Sequence, residues 1–379
     1  MVTADFPPAP SGLGDYCKVL SESLAARGIG VTVITSSYRG IAQRCGNPAV
    51  RPEIEGWSLA HGVSALRTIL MTDADVWHFQ MGTREHRNRL FPYVLIPIVA
   101  LLRRQKKVVV TFHELPHPEF RRHLVRGLVR VIREWLCVIC ADGLVAVSES
   151  YKKALTSSYQ FTRSVPFRVI GIAPTIPRSK LNSEQLRSLR WRIGIEDGTL
   201  LLSYFGFVHA AKGFEDTLAV LNNSRKSGVP ARLIVLGELS EKDTFHKRIL
   251  RKIGQEGLTG FVQVLGYLDA DSVADYLAAS DACVLPFKEG VQPKNSSFLA
   301  AIAQGTLVIT TSSERSGLDD GANVYYALPG DVEGMAAAAR KYGGRKGSRD
   351  AAGIQTWSAI VEKHICLYAD LLKTRLAEK

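Results

Sequence analysis

Short apolar runs rich in valine and isoleucine recur along the whole chain and alternate with amphipathic segments. The runs are nearly continuous in apolar residues, which is typical of parallel strands covered on both faces. They predict strands at 29–35, 75–80, 107–112, 143–148, 167–171, 199–205, 231–237, 261–266, 281–286, 306–311 and 323–327. Helical spacing between them predicts helices at 15–27, 121–141, 213–227, 242–255 and 297–303, among others. Such alternation predicts an α/β fold with doubly wound parallel sheets.

Eleven strands are too many for one sheet, and a chain of 379 residues corresponds to roughly two domains. We therefore expect two Rossmann-like domains, at 1–172 and 198–350. Residues 173–197 are predicted to be a linker with a short helix, because the segment opens with two prolines and continues polar and basic. The stretch 355–379 is predicted to be a C-terminal helix that could pack back on the first domain.

The charge balance favours an anionic partner. The sequence carries 48 Lys and Arg against 36 Asp and Glu, a formal charge of +12. Its six cysteines are too sparse for a disulfide scaffold. The sequence opens without a basic and then apolar leader, and its longest apolar run, 90–102, is too short to span a bilayer. We expect a cytoplasmic protein, with peripheral contact to the inner face of a membrane left open.

The basic charge is concentrated between residues 84 and 133, where 12 Lys and Arg face 3 Glu. Apolar residues within 121–140 follow helical spacing, and arginines fall on the opposite side. Two interpretations stay open: a helix packed on the core with a solvated basic face, or contact with anionic lipid or a lipid-diphosphate acceptor through Arg122, Arg126 and Arg130. Nucleic acid is disfavoured as a partner, because aromatic residues are not interleaved with the basic ones.

Ligands of open α/β sheets bind beyond the carboxyl ends of the strands. The strand 199–205 is followed by Gly206 and by Lys212 at a helix start, which predicts an anion site or, alternatively, an ordinary turn. After the strand 281–286 comes a loop with Glu289, a candidate acceptor for sugar hydroxyls. Ser296 or Ser297 is predicted to N-cap the next helix, whose first N–H groups suit phosphate.

Three further features carry weaker signals. Gly12 and Gly14 precede a helix and would let backbone approach a ligand, but they are not a full dinucleotide fingerprint. His113 ends the strand 107–112 and could donate to a sugar hydroxyl or be structural, and His78 is placed at the end of the preceding strand. Cys137 and Cys140 lie mid-helix with no second pair, so we expect no metal site.

The sequence resembles glycosyltransferase family 4, retaining enzymes with the GT-B fold, nearly end to end. The resemblance is carried by Asp5-Phe6-Pro7-Pro8 with Gly12-Leu13-Gly14-Asp15-Tyr16, Thr111-Phe112-His113-Glu114, Gly206 with Lys212-Gly213, Leu285-Pro286 through Gly305 to Thr310-Thr311, and Thr356-Trp357 with His364 and Tyr368. It implies two Rossmann-like domains facing across a cleft, with the acceptor on the side of the first and a nucleotide-sugar on the second. The implied activity is transfer of a sugar from a nucleotide-diphosphate donor to a saccharide or lipid-linked acceptor.

The resemblance also implies roles for single residues. Lys212 would bind the donor diphosphate, Glu289 would contact the donor sugar, and N–H groups near Ser296 and Ser297 would take phosphate oxygens. His113 would lie beside the transferred sugar, and Gly12 and Gly14 would line the acceptor or phosphate side. The transfer would need no bound metal or permanent cofactor.

Two departures from the family pattern bear on activity. Phe207 follows Gly206 where many members carry Arg, so one phosphate contact would be lost or moved to His209 or Lys294. The second of two glutamates eight residues apart is replaced by Ser297. A catalytically inactive relative that scaffolds a membrane complex, and a sugar-nucleotide epimerase, are therefore the alternatives.

Overall fold

A computed structural model describes residues 1–37, 40–82, 91–102, 106–114, 124–159, 165–349 and 355–377, with only the backbone of 124–130, 133 and 374–377. The chain divides into two compact units, one of Met1–Ala173 with Gln355–Lys379 and one of Pro174–Ile354. Each unit alternates parallel strands with helices. The predicted α/β class is confirmed.

The first unit holds six strands and six helices within the residues that the structure describes. The strands are β1 (Thr32–Ser36), β2 (Ala49–Ile54), β3 (Val76–Met81), β4 (Lys107–Phe112), β5 (Gly143–Ala146) and β6 (Phe167–Val169). The helices are α1 (Gly12–Ala25), α2 (Gly62–Met71), α3 (Phe91–Leu102), α4 (Leu124–Ile139), α5 (Glu149–Ser158) and, from the C-terminal segment, α12 (Trp357–Ala377). No described helix is long and apolar enough to cross a bilayer.

The start of the chain takes the central position in the first sheet. Val2 bridges Ile34 of β1 and Phe79 of β3. Its N–H donates to the carbonyl of His78 at 2.8 Å, and its carbonyl accepts the N–H of Gln80 at 2.9 Å. The order is therefore β2, β1, Val2, β3, β4, β5, β6, all parallel. Reversal of strand order at Val2 is the pattern of a doubly wound sheet.

Helix α4 does not bury the face that the core-packing interpretation of its sequence predicts. Ile132, Trp135 and Ile139 belong to the predicted apolar stripe, yet their exposed fractions are 39%, 43% and 48%. Glu134 is buried instead and accepts a hydrogen bond from the Tyr159 hydroxyl at 3.1 Å. The helix therefore presents an apolar ridge outward, and the expectation of a core-facing stripe is wrong for these residues.

The second unit holds the remaining described elements. Its strands are β7 (Leu200–Phe205), β8 (Ala231–Leu236), β9 (Val262–Val264), β10 (Ala282–Leu285), β11 (Leu307–Thr311), β12 (Gly317–Asp319) and β13 (Val324–Ala327). Its helices are α6 (Ser183–Arg192), α7 (Phe214–Lys226), α8 (Thr244–Gln255), α9 (Ala270–Ala279), α10 (Ser296–Ala303) and α11 (Val332–Tyr342). The segment expected to be a linker holds α6, and Arg190 of that helix pairs with Asp281 at 3.0 Å.

The second sheet has the order β12, β13, β11, β10, β7, β8, β9, and all its strands are parallel except β12. The strand order reverses between β7 and β10, so the segments that follow these two strands diverge there. Crevices at such switch points are where open α/β sheets bind ligands. Gly206 and Lys212 follow β7, and Ser297 follows β10, which brings both predicted anion-binding segments to this point.

Candidate functional site

Gly206, Lys212 and Ser297 meet at the carboxyl end of β7. Gly206 has a φ of +116°, a conformation that only glycine adopts easily. A Cβ placed on it would lie 2.8 Å from Nζ of Lys212 and 3.7 Å from Cβ of Ser297. The lysine amine and the serine side chain therefore lie against the same glycine. The missing side chain of Gly206 leaves an open space between them.

The two loops that carry these residues are tied together by backbone. Gly213 has a φ of +67°, and a Cβ on it would lie 1.9 Å from the carbonyl oxygen of Pro286. The N–H of Lys288 donates to the carbonyl of Ala211 at 3.0 Å. The Lys288 amine in turn pairs with Asp216 of α7 at 2.7 Å. Lys212 is therefore held on a loop whose position is set by the β10–α10 loop.

Ser297 is buried, and its hydroxyl has no hydrogen-bond partner among the described residues. It is the second residue of α10, where the first N–H groups of a helix have no partner within the helix. The predicted cap was wrong: Asn295 is the N-cap, and its side-chain oxygen accepts the N–H of Gln292 at 2.6 Å. Ser296 and Ser297 thus contribute the first two N–H groups of the helix.

This arrangement suits a polyphosphate. Lys212 supplies a positive charge, the α10 N-terminus supplies N–H groups and a favourable dipole, and Ser297 supplies a hydroxyl that needs a partner. Glu289 is exposed and Lys294 is half-buried in the same β10–α10 loop. Their contacts with a ligand stay predictions.

His246 fixes the shape of the β7–α7 loop, and no motif in the sequence points to this role. Its Nδ1 accepts the N–H of Ser240 at 3.0 Å, so the proton of the neutral ring lies on Nε2. That nitrogen donates to the carbonyl of Val208 at 2.8 Å. The neighbouring Phe207, which stands where many family members carry Arg, exposes 47% of its surface.

In the first unit, Gly12 and Gly14 lie inside the first turn of α1 instead of in a loop before it. Ser11 caps the helix, and its hydroxyl oxygen accepts the N–H of Gly14 at 3.2 Å. A Cβ on Gly14 would come within 3.2 Å of Cα of Phe6. Gly14 therefore allows the helix to pack closely on backbone, and a ligand role for either glycine stays a prediction.

His113 follows β4 and is buried, with its Nε2 2.8 Å from Oε1 of Gln80. Its ring packs edge-on against Tyr16, with 4.7 Å between the centroids. His78 is the third residue of β3 and does not lie at the strand end, contrary to the prediction. Its Nδ1 lies 2.6 Å from the Tyr368 hydroxyl. The contact between Gln80 and His113 is not predictable from the sequence, because no spacing links the two residues.

The remaining predicted residues give less information. Arg122 lies outside the described residues, as do the side chains of Arg126 and Arg130. Cys137 is buried in α4, and burial raises the pKa of its thiol well above the usual range. Among the described residues, no three His, Cys, Asp or Glu side chains are grouped as metal ligands.

The sequence matches two family profiles, one in each half of the chain. The profile of Glycosyltransferase Family 4 matches residues 10–171. The profile of Glycosyl transferases group 1 matches residues 199–342. A search of curated proteins finds no match.

Several solved glycosyltransferases share the fold. Sucrose-phosphate synthase from Thermosynechococcus elongatus is 17% identical, with a TM-score of 0.74 and 98% of both chains covered. HepE from Anabaena, in complex with UDP and glucose, is 15% identical with a TM-score of 0.66, over 100% of this chain and 99% of that one. WaaG, a glycosyltransferase involved in lipopolysaccharide biosynthesis, is 16% identical with a TM-score of 0.64, over 99% and 97%. The chain belongs to glycosyltransferase family 4, the group 1 glycosyltransferases, and is a glycosyltransferase with the GT-B fold.

Proposed function

We propose that the protein is a retaining glycosyltransferase that moves a sugar from a nucleotide-diphosphate sugar to a saccharide or lipid-linked acceptor in cell-surface polysaccharide synthesis. The observation that carries the proposal is the convergence of Lys212, Gly206 and Ser297, whose hydroxyl has no partner in the described part of the chain, at the switch point of the second sheet. Structural relatives support the donor class, since HepE is described in complex with UDP-glucose and Arabidopsis thaliana starch synthase IV with ADP and acarbose.

Breaking the bond between the sugar and the diphosphate leaves an electron pair, and hence negative charge, on the diphosphate. In this proposal Lys212 and the N–H groups of Ser296 and Ser297 stabilise that charge as it develops. Glu289 accepts hydrogen bonds from donor sugar hydroxyls, and Lys294 adds positive charge to the loop. His113 contacts the transferred sugar, and Gly12 and Gly14 line the acceptor side.

Turnover with UDP-, GDP- and ADP-sugars tests this function, with release of nucleoside diphosphate and formation of a glycosylated product as readouts. Lys212→Ala should lower kcat by about 100- to 1,000-fold, because a preorganised charge at the leaving group is lost. Lys226→Ala, at the far end of α7, is the control and should leave turnover unchanged. Full activity in Lys212→Ala would remove the role assigned to the lysine.

The two alternatives give different products. A sugar-nucleotide epimerase releases free or epimerised sugar from the donor without an acceptor, so product identification separates it from transfer. An inactive scaffold releases no nucleoside diphosphate from any donor. The replacement of the second family glutamate by Ser297 is the observation that favours such a scaffold.

We also propose that the enzyme contacts an anionic membrane surface. The outward apolar ridge of Ile132, Trp135 and Ile139 supports this, because it follows a strongly basic stretch that includes Arg122, Arg126 and Arg130. Anionic lipid would attract the arginines while the ridge enters the headgroup region.

Sedimentation with vesicles tests the membrane proposal. The wild-type protein should bind phosphatidylglycerol vesicles more than phosphatidylcholine vesicles, and Trp135→Ser should reduce that binding several-fold. Trp191→Ser is the matched control, since Trp191 is an exposed tryptophan of the second unit. Binding that does not depend on anionic lipid or on Trp135 would count against the membrane contact.

A further inference from the structure

A chain of polar side chains lies beneath His113 in the first unit. Gln80 and Thr111 are fully buried on neighbouring strands, and they face each other in the register of β3 and β4. His78, two residues before Gln80, points to the same face of β3 and is also buried. Three buried polar side chains thus share this face of the sheet, which is costly unless the polar groups satisfy one another.

The structure places the oxygen of the Gln80 amide next to His113 and its nitrogen next to His78. Its Oε1 can only accept, so the contact of 2.8 Å with Nε2 of His113 requires a proton on that nitrogen. Its Nε2 can only donate, so the contact of 3.2 Å with Nε2 of His78 requires a lone pair there. The Gln80 amide therefore requires a protonated Nε2 on His113 and an unprotonated Nε2 on His78.

His78 is held in the form that this direction needs. Thr111 lies 2.6 Å from the same Nε2 and can donate its hydroxyl proton to the single lone pair there, which it shares with the longer contact from Gln80. The proton of the neutral His78 ring then lies on Nδ1, 2.6 Å from the Tyr368 oxygen. Burial, together with the nearby His364, holds the pKa of His78 well below its usual range, so the ring is neutral at neutral pH.

We propose that Gln80 is a positioning residue that holds His113 as the tautomer protonated on Nε2, so that the ring keeps its lone pair on Nδ1 when it contacts the transferred sugar. The proposal rests on the function proposed above, in which His113 contacts that sugar. A side chain that fixes tautomer and ring orientation acts on the rate of transfer more than on the binding of substrate. Gln80 itself touches no substrate in this scheme.

The tautomer of His113 can be measured without any ligand. Long-range proton–nitrogen correlation spectra of the full-length protein with labelled histidines distinguish the two tautomers, and His113→Gln identifies the His113 signals. The wild type should show Nε2 protonated and Nδ1 unprotonated. Gln80→Leu should give a mixture of tautomers, and Gln80→Glu, which keeps an acceptor for Nε2–H, should keep that nitrogen protonated. Thermal unfolding of each variant checks that the fold is retained.

Kinetics with whichever of UDP-glucose, GDP-mannose and ADP-glucose is turned over supplies a second readout. Gln80→Leu should lower kcat by about 10- to 100-fold with KM changed less than about threefold, and Gln80→Glu should recover most of that loss. An unchanged His113 spectrum in Gln80→Leu, or a wild type protonated on Nδ1, overturns the inference. Wild-type kcat in His113→Gln, or no turnover of any donor, instead contradicts the proposed function, and the spectrum still decides what Gln80 does to His113.

Discussion

Single residues of the proposed diphosphate site have features that lower the stability of the folded protein. Ser297 buries a hydroxyl without a hydrogen-bond partner among the described residues, which costs about 1–3 kcal/mol of folding free energy. Gly206 and Gly213 occupy left-handed backbone that other residues strain to adopt. Sites that bind a ligand commonly keep such unfavourable features, because the ligand supplies the missing contact.

Ser297→Ala should separate stability from binding. Without the orphaned hydroxyl, the free energy of unfolding should stay level or rise by about 1 kcal/mol. Affinity for a nucleoside diphosphate should fall about tenfold or more, because a hydrogen bond to a charged oxygen is lost. Denaturant unfolding and titration calorimetry measure the two effects. The control is Ser203→Ala in β7, where the hydroxyl already donates to Ala282 at 3.4 Å and binding should not change.

The burial of His364 leads us to expect that the first unit loses stability in acid. The residue is fully buried in α12, its Nε2 has no partner among the described residues, and burial lowers its pKa from 6.5 to about 4. The unfolded chain therefore takes up the proton more readily than the folded one between these values, so stability is lost as pH falls from about 6.5 to about 4. The loss should be on the order of 3 kcal/mol.

His364→Phe should remove this dependence. The useful quantity is the difference in unfolding free energy between wild type and variant at each pH, because other groups titrate in the same window. Asp15, whose pKa burial raises to about 6, acts with the opposite sign, since its contribution is lost as pH rises. A difference that stays constant from pH 7 to pH 4 would show that His364 does not resist protonation.

At the scale of elements, the site depends on two loops that fold onto each other. Gly213→Ala would place a methyl group against the Pro286 carbonyl and separate the loops, so it should destabilise the second unit by more than about 3 kcal/mol. Gly228→Ala is the matched control: its φ is +82°, but no atom lies within 4 Å of the added Cβ. That variant should lose only about 1 kcal/mol, from backbone strain. Thermal unfolding measures both, and equal losses would mean that the loop contact contributes little.

Many of the strands and helices are predictable from the sequence. The strands that carry the site residues, β7 and β10, are buried on both faces, so their apolar runs identify them almost to the residue. The cap of α10 was not predictable, because Asn295, Ser296 and Ser297 all belong to residue types that cap helices well. The outward ridge of α4 was missed because helical spacing shows that a stripe exists but not which way it points. Strand β2 is not among the predicted strands. It lies at the edge of the sheet, contains Pro52 and lacks the apolar run of a central strand.

At the scale of the whole molecule, the first unit is built from both ends of the chain. Helix α12 packs on α1 and buries Ile360, Val361, Leu367 and Leu371 in the core of that unit. Each such side chain contributes about 1.5–3 kcal/mol when buried. Together they match the whole stability of an ordinary domain, about 5–15 kcal/mol.

Truncation after residue 354 should therefore unfold the first unit and spare the second. Circular dichroism and limited proteolysis should show loss of the segment 1–173, while a fragment of 174–354 stays folded and unfolds cooperatively. Addition of a peptide of residues 355–379 should restore protection. A truncated chain whose first unit unfolds at the wild-type temperature would mean that α12 is dispensable.

The central proposal, that Lys212 and the N-terminus of α10 bind the same diphosphate, is tested most directly by a double-mutant cycle. Titration calorimetry would give the affinity of wild type, Lys212→Ala, Ser297→Ala and the double variant for whichever of UDP, GDP and ADP binds tightest. If both side chains hold the same diphosphate, each single change weakens binding, and the two losses fail to add by about 0.5–3 kcal/mol. Unchanged affinity in Lys212→Ala, or losses that add fully, would contradict a shared phosphate site.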